Sequence, residues 1–259
     1  MIYNHLQCNY LLFLGGMMKQ YEAVIQTLEN LGGQATLGEL NQEVLKIHDC
    51  EWNTKTPFAS IRRIVQTRPE IIKIRPGLWA LKSFQKKLGL VEYGSGVAET
   101  PKIVEENHSY YQGIIAQLGN LLGYSTYIPN QDKNQLFVNK PLGDVRSLSE
   151  IPMFSHPELV KRSGTIDVIW FNSRKMPSRF FEVEHSTDIQ NSLLKYCDLQ
   201  DFSSKMFIVA DERRHHEFES KIRFSGVSDI KSRVEFLGYS NLIRLYENEV
   251  FKSSLSVVL

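Results

Sequence analysis

Apolar residues recur along the chain at two different spacings, and the change of spacing divides the sequence into two halves. In residues 19–82, apolar positions three or four apart predict three helices, the third entered at Thr56-Pro57 and ended by Pro69. Apolar segments 71–74 and 78–81 flank the turn signal Pro76-Gly77. They predict a two-stranded hairpin directly after the third helix.

The second half has the pattern of an α/β domain. Residues 83–102 are poor in periodic apolar positions and read as a linker. Residues 129–163 show little regularity, whereas the remainder predicts alternating helices and buried strands. The predicted elements are a helix at 104–122, strands at 124–128, 165–171 and 179–184, a helix at 188–202, strands at 205–210 and 234–238, and a helix at 241–251.

The composition indicates the class of protein but does not indicate what it binds. With 42% hydrophobic residues the chain is a folded globular protein, and its net charge of +1 gives no global basic excess, so any cationic surface must be local. Three scattered cysteines, Cys8, Cys50 and Cys197, lack metal-ligand spacing, so we expect no structural zinc or disulfide and a cytoplasmic location. Residues 1–18 are expected to be an extension, with an apolar run too short to cross a bilayer, so no membrane is expected as a partner.

Three carboxylates fall within strands that are otherwise apolar. Glu182 and Glu184 are two residues apart and therefore project from the same face of their strand, while Asp167 lies on the preceding strand. Charges in such strands are costly to bury unless they bind a cation or a metal. If the strands pair, Asp167 and Glu182 converge as ligands for Mg²⁺, with Mn²⁺ as a substitute, the Val183 carbonyl as a third ligand and Glu184 orienting or deprotonating an attacking water.

A second interpretation of these carboxylates needs no metal. Arg179, Arg174 and Lys175 lie nearby in the sequence and would form an ion-pair cluster with the three acids. The metal interpretation is preferred because Asp167 and Glu182 converge on one point if the two strands pair.

The first half resembles a winged helix-turn-helix domain, since an apolar strand, a Pro-Gly turn and Leu78-Trp79-Ala80-Leu81 follow its third helix. The resemblance implies that this helix and the hairpin contact double-stranded DNA. The alternative is a protein-interaction domain with a solvated cationic face. The residues expected to contact DNA are Lys55, Arg62, Arg63, Arg68 and Arg75.

The second half resembles the PD-(D/E)xK, or restriction-endonuclease-like, nucleases over about residues 103–210. The motif is Ile166-Asp167, then fourteen residues, then Glu182-Val183-Glu184. Ile166 replaces the usual proline, and Glu184 replaces the usual lysine, so the identity of the general base is open. Lys195 and Lys161 are both candidates for a displaced cation. The resemblance further implies that Glu106 on the first helix contributes to catalysis. His185, directly after the acidic pair, either contacts the phosphate or the leaving group in catalysis or is a structural histidine at the end of its strand.

These inferences predict an α/β protein in which an N-terminal winged helix precedes a restriction-endonuclease-like mixed sheet flanked by helices. The predicted function is a Mg²⁺-dependent DNA endonuclease of a restriction or phage-defence system, in which the winged helix supplies recognition of a sequence or of a modified base. A homodimer is expected by resemblance. The alternatives are a winged-helix regulator with an inactive nuclease-like domain, and a nuclease acting on RNA or branched DNA. The predicted domains are the extension (1–18), the winged helix (19–82), the linker (83–102) and the nuclease domain (103–259).

Overall fold

The computed structural model describes residues 17–54, 56–96 and 101–256, with the side chains of 101–106 and 254–256 outside the described part. The first half contains α1 (Gln20–Asn30), β1 (Gln34–Thr36), α2 (Leu37–Glu43), α3 (Pro57–Thr67), β2 (Ile71–Arg75) and β3 (Leu78–Leu81). Thr36 caps the N-terminus of α2. Its hydroxyl accepts a hydrogen bond from the Glu39 amide, and the Glu39 carboxylate accepts one from the Thr36 amide. Strand β1 adds to the hairpin, giving an antiparallel sheet in the order β1-β3-β2.

The second half contains a five-stranded mixed sheet in the order β10-β9-β8-β7-β4. Among the described residues, no helix is both long and apolar enough to cross a membrane. The elements are α4 (Gln85–Leu88), α5 (Pro101–Leu121), β4 (Ser125–Tyr127), β5 (Leu136–Phe137), β6 (Lys140–Pro141), α6 (Leu142–Val145), α7 (Pro157–Ser163), β7 (Val168–Phe171), β8 (Pro177–Glu184), α8 (Ile189–Cys197), β9 (Lys205–Ala210), α9 (His215–Lys221), β10 (Val234–Gly238) and α10 (Tyr239–Ser256).

The strand directions bring several strand ends to one edge of the large sheet. Strands β8, β9 and β10 are parallel, whereas β7 runs antiparallel to both β8 and β4. The start of β7 therefore lies beside the ends of β4 and β8. Side chains that leave these strand ends share one region, and all three predicted carboxylates belong to it.

Apolar side chains cover both faces of the large sheet. Phe181 and Val183 face a core that includes α5 and α10, and Phe180 faces a second core that includes α8. The hairpin of the first half contributes Ile72 and Leu78 to the first of these cores. The two halves of the chain are thus joined by a continuous apolar core.

The prediction of a mixed α/β fold is confirmed at this level, and the predicted strands at 205–210 and 234–238 have the observed bounds. Other details differ. The strand predicted at 165–171 begins at Val168, so Asp167 lies just before β7, and the helix predicted at 188–202 ends at Cys197. Strand β1 was not predicted, because three residues are too few to show a period. The segment 129–163 holds short strands and helices, and the segment predicted as a linker contains α4.

Candidate metal centre

Asp167 extends the pairing of β7 with β8 by means of its side chain. The main-chain register ends at Val168 opposite Phe181. One residue further on, Asp167 Oδ2 accepts a hydrogen bond of 2.7 Å from the Val183 amide. This bond holds the carboxylate, whose side chain is 14% exposed, at the end of β8.

Glu182 and Glu184 project from β8 toward α8, as their spacing predicted, and both are buried. The Ser192 hydroxyl on α8 lies 3.0 Å from Glu182 Oε2 and also contacts Glu184 Oε1. The Thr187 hydroxyl donates to the other oxygen of Glu184. Both oxygens of Glu184 are therefore engaged by hydroxyl groups.

Lys195 brings a positive charge to the acidic pair from α8. Its Nζ lies 2.6 Å from Glu182 Oε2 and 3.2 Å from the Thr165 carbonyl oxygen. Its side chain is 28% exposed, so the ammonium lies at the border between the buried acids and solvent. Of the two lysines considered as a displaced cation, Lys195 contacts the acids, whereas Lys161 is exposed on α7.

Glu182 carries an unsatisfied buried oxygen. Among the described residues its Oε1 has no hydrogen-bond partner, although Glu182 is only 2% exposed. Burial and the negative charge of Asp167 raise the pKa of Glu182 to about 8, against the opposing effects of Lys195 and Ser192. A buried site with excess negative charge and an unpaired carboxylate oxygen fits a cation with oxygen ligands, such as Mg²⁺.

His108 and Asp132 also lie at this centre, and the sequence analysis missed both. His108 Nε2, on α5, lies 3.5 Å from Asp167 Oδ1. Ligand atoms of His108, Asp132 and Asp167 all lie within 4.8 Å of one another. Burial raises the pKa of Asp132, and the charge of Asp167 adds to this effect.

His108 has a raised pKa for a different reason. Burial alone would lower the pKa of the imidazole, but its hydrogen bond to Asp167 and the charges of Asp167, Asp132 and Glu182 outweigh that effect. A sequence signal existed for the helix, where His108 and Gln112 are four residues apart and share a face. Asp132 lies in a segment without periodicity and gave none.

His185 stands apart from this cluster. His185 turns to the opposite side of β8, where its ring nitrogens lie 3.4 Å from Asn107 Nδ2 and from the Tyr239 hydroxyl. The side chain of Glu106, and the whole of Lys55, lie outside the described residues. The Val183 carbonyl belongs to β8 at the centre itself.

The predicted DNA-binding arginines differ in how they are engaged. Arg62 forms an ion pair with Glu247 on α10, Arg68 binds Glu70, and Arg75 binds Asn107. Arg63 is exposed and forms no ion pair within the described part of the chain. Arg63 and Arg68 line one surface hollow together with Lys19.

The ion-pair interpretation joins the carboxylates to Arg179, Arg174 or Lys175. The contacts of Arg179, on β8, do not fit it. Its guanidinium lies 4.8 Å from the ring centroid of Tyr124 and 5.3 Å from that of Trp170. Arg174 and Lys175 are exposed in the turn. The cations that contact the acids are instead Lys195 and, when protonated, His108.

Comparison with known proteins places this centre within a matched region. Residues 94–256 match the protein family described as the type II restriction enzyme NmeDI C-terminal domain. The type II restriction enzyme NmeDI of Neisseria meningitidis serogroup C is 29% identical over 127 residues, which cover 45% of this chain and 36% of that enzyme. The chain therefore aligns with little more than a third of this curated relative. No solved structure matches the chain.

Proposed function

The chain belongs to the family of the type II restriction enzyme NmeDI C-terminal domain, and from that premise we propose that it is a divalent-metal-dependent DNA endonuclease of a restriction system. The observation that carries the proposal is the unpaired Glu182 Oε1, buried beside Asp167. An acid kept in this state weakens the fold, and metal binding is the function that accounts for it.

Asp167, Glu182 and the Val183 carbonyl would hold the ion. The Val183 amide already donates to Asp167, and the N–H and C=O of one strand residue point to the same edge, so the carbonyl lies on the Asp167 side. This donor set suits Mg²⁺, with Mn²⁺ as a substitute. A divalent ion there would lower the pKa of an attacking water and stabilise charge on the scissile phosphate.

Lys195 supplies the cation that the motif lacks at position 184. Its ammonium is fixed by Glu182 and the Thr165 carbonyl and is partly exposed, so it can bind a phosphate oxygen at the mouth of the centre. Glu184 is buried and bonded to Ser192 and Thr187. These contacts favour a role in positioning α8 relative to β8 over the role of general base.

The first half is proposed as a winged helix-turn-helix that contacts double-stranded DNA. The order of helix, strand, two helices and hairpin, with β1 paired to β3, supports this assignment. The exposed Arg63, together with Arg68, supplies cations on and beside α3. A homodimer is proposed by resemblance alone, because cleavage of both strands is commonly shared between two subunits.

The test is cleavage of methylated and unmethylated phage or plasmid DNA by the full chain, with Mg²⁺, with Mn²⁺ and with a chelator. We expect metal-dependent double-strand cuts that Asp167→Asn abolishes and the exposed control Asp201→Asn retains. DNA binding by Asp167→Asn should persist, since the carboxylate acts on bond breaking. Binding without cleavage by the parent chain under every condition would favour the alternative, a DNA-binding regulator with an inactive nuclease-like domain.

A further inference from the structure

We propose that His108, Asp132 and Asp167 form a second divalent-cation site, which shares Asp167 with the nuclease centre and selects Mn²⁺ or a similar transition metal over Mg²⁺. The inference rests on the proposed function for its role in cleavage. The binding site itself follows from the geometry of the three side chains and can be tested without DNA.

Three separate elements deliver the ligand atoms. His108 comes from α5, Asp132 from the segment that follows β4, and Asp167 from the position just before β7. Their ligand atoms lie within 4.8 Å of one another. Ligands about 2.1 Å from one ion lie roughly 3 to 4 Å apart, so an ion needs side-chain shifts of less than about 1 Å.

Two unpaired buried oxygens adjoin this cluster. Gln112 is fully buried on α5, one turn after His108, and its Nε2 donates a 3.0 Å hydrogen bond to Asp132 Oδ2. Its Oε1, on the same amide carbon, has no partner in the described structure. Glu182 Oε1 is in the same condition. An ion held by His108, Asp132 and Asp167, with its bound waters, would satisfy the Gln112 oxygen, and the ion of the nuclease centre would satisfy the Glu182 oxygen. Both oxygens otherwise cost free energy by burial.

Asp167 can serve both sites because its two oxygens face different partners. Oδ2 accepts the Val183 amide on the Glu182 side, whereas Oδ1 faces the His108 imidazole. A carboxylate whose two oxygens face different partners can bridge two ions, as in sites where two metals bind the same phosphate.

The imidazole sets the metal preference. Nitrogen ligands suit transition metals, while Mg²⁺ strongly prefers oxygen and keeps its waters. Asp132 and Asp167 alone would admit either ion. His108 therefore makes this site favour Mn²⁺, and the oxygen-only set of Asp167, Glu182 and the Val183 carbonyl accepts Mg²⁺.

The rival explanation is that a protonated His108 is simply the internal cation for Asp167 and Asp132. The two explanations differ in one observable, since only a metal site places the imidazole nitrogen in direct contact with the ion. Pulsed electron paramagnetic resonance of bound Mn²⁺ detects that nitrogen through its ¹⁴N coupling. The measurement uses the full chain, without DNA.

We expect the parent chain to bind two Mn²⁺ and to show ¹⁴N coupling. His108→Gln should lose the coupling and should lower the affinity for one of the two Mn²⁺ ions at least tenfold. Asp132→Asn should lower the affinity for the same ion by a similar factor. The matched controls are the exposed His48→Gln and Asp201→Asn, which should retain both. Anomalous diffraction from crystals of the parent chain soaked in Mn²⁺ locates the ions independently of any variant that folds poorly.

Each result decides the proposal. Coupling absent from the Mn²⁺-loaded parent, coupling that persists in His108→Gln, or anomalous maps that show no ion beside His108 would overturn it. Cleavage assays on the same samples separate it from the proposed function. Metal-dependent cleavage without ¹⁴N coupling removes the second site alone, whereas coupling without cleavage of any DNA removes the nuclease assignment alone.

Discussion

Lys195 and Glu182 are thirteen residues apart in the chain, yet the lysine ammonium lies 2.6 Å from Glu182 Oε2. The contact crosses from helix α8 to strand β8 and ends at the carboxylate with the unpaired oxygen. Position 184, two residues beyond Glu182 on the strand, holds a glutamate. The cation thus reaches the acidic centre from the neighbouring helix.

Lys195→Met is expected to lower the rate of DNA cleavage by roughly 10²–10³, because removing one preformed electrostatic contact to the transition state has an effect of this size. Affinity for DNA should change little. Single-turnover cleavage and filter binding measure the two quantities, and Lys161→Met, on the exposed side of α7, is the matched control. A Lys195→Met enzyme as fast as the control would show that this ammonium does not act on the phosphate.

Glu182→Gln should stabilise the metal-free protein while abolishing cleavage. The folded-state pKa of Glu182 is raised to about 8 from a usual value near 4.5, so the folded protein binds the proton more tightly than the unfolded chain does. This carboxyl therefore contributes stability that is full below about pH 4.5 and is lost as pH rises toward 8. Glutamine has the shape of the protonated acid but cannot ionise, so the variant should not lose this stability as pH rises.

Thermal melting in the presence of a chelator tests this prediction. The gain in melting temperature of Glu182→Gln over the parent should be larger at pH 8.5 than at pH 5.5, with about 2–4 °C for each kcal/mol in a chain of this size. Glu235 forms an exposed ion pair with Lys205, and Glu235→Gln is the control. Its change in melting temperature should be the same at both pH values. An equal gain at both pH values would mean that Glu182 titrates normally in the folded state.

Arg63→Ala should weaken binding to duplex DNA more than Arg62→Ala does. Arg63 is exposed and forms no ion pair with any described residue, whereas Arg62 is held by Glu247. Each phosphate contact removed reduces the dependence of log K on log salt by about 0.9. Fluorescence anisotropy of the full chain at several salt concentrations gives this slope, with Arg174→Ala in the exposed β7–β8 turn as control. Identical slopes in all four proteins would move the DNA surface away from α3.

Gly77→Ala should destabilise the junction between the two halves. Gly77 has a φ of +76°, and a Cβ there would lie 2.8 Å from Ile243 Cγ2 on α10. Gly89→Ala is the matched control, because Gly89 has a φ of +63° but no described atom lies within 4 Å of the added carbon. Both variants incur the left-handed strain of about 1 kcal/mol, so the additional loss in Gly77→Ala, about 1–3 kcal/mol, measures overpacking. Equal melting temperatures for the two variants would show that the hairpin yields freely against α10.

The carboxylates were accessible to sequence analysis because strand periodicity is local. Glu182 and Glu184 are two positions apart and therefore lie on one face of their strand. Charged residues are unusual in a strand that is otherwise apolar, so both can be recognised from the sequence. His108 and Asp132 were missed because only tertiary structure brings α5 and the irregular segment after β4 to Asp167. The shared core of the hairpin and α10 was hidden for the same reason, since no pattern within 71–81 says what the hairpin packs against.

Glu184→Lys should impair the enzyme, although it restores the residue found at this position in most PD-(D/E)xK nucleases. Glu184 is 4% exposed and accepts hydrogen bonds from the Ser192 and Thr187 hydroxyls. A lysine accepts no hydrogen bond and would place a second buried cation near Lys195, at the cost of an unpaired charge. Glu184→Gln keeps an acceptor of the same shape and is the matched control. We expect cleavage to fall at least 10²-fold in Glu184→Lys and less than tenfold in Glu184→Gln, with melting temperatures in the same order. Full activity in Glu184→Lys would show that this position neither positions α8 nor balances the charge of the centre, and it would leave Asp167 and Glu182 as the whole acidic requirement for cleavage.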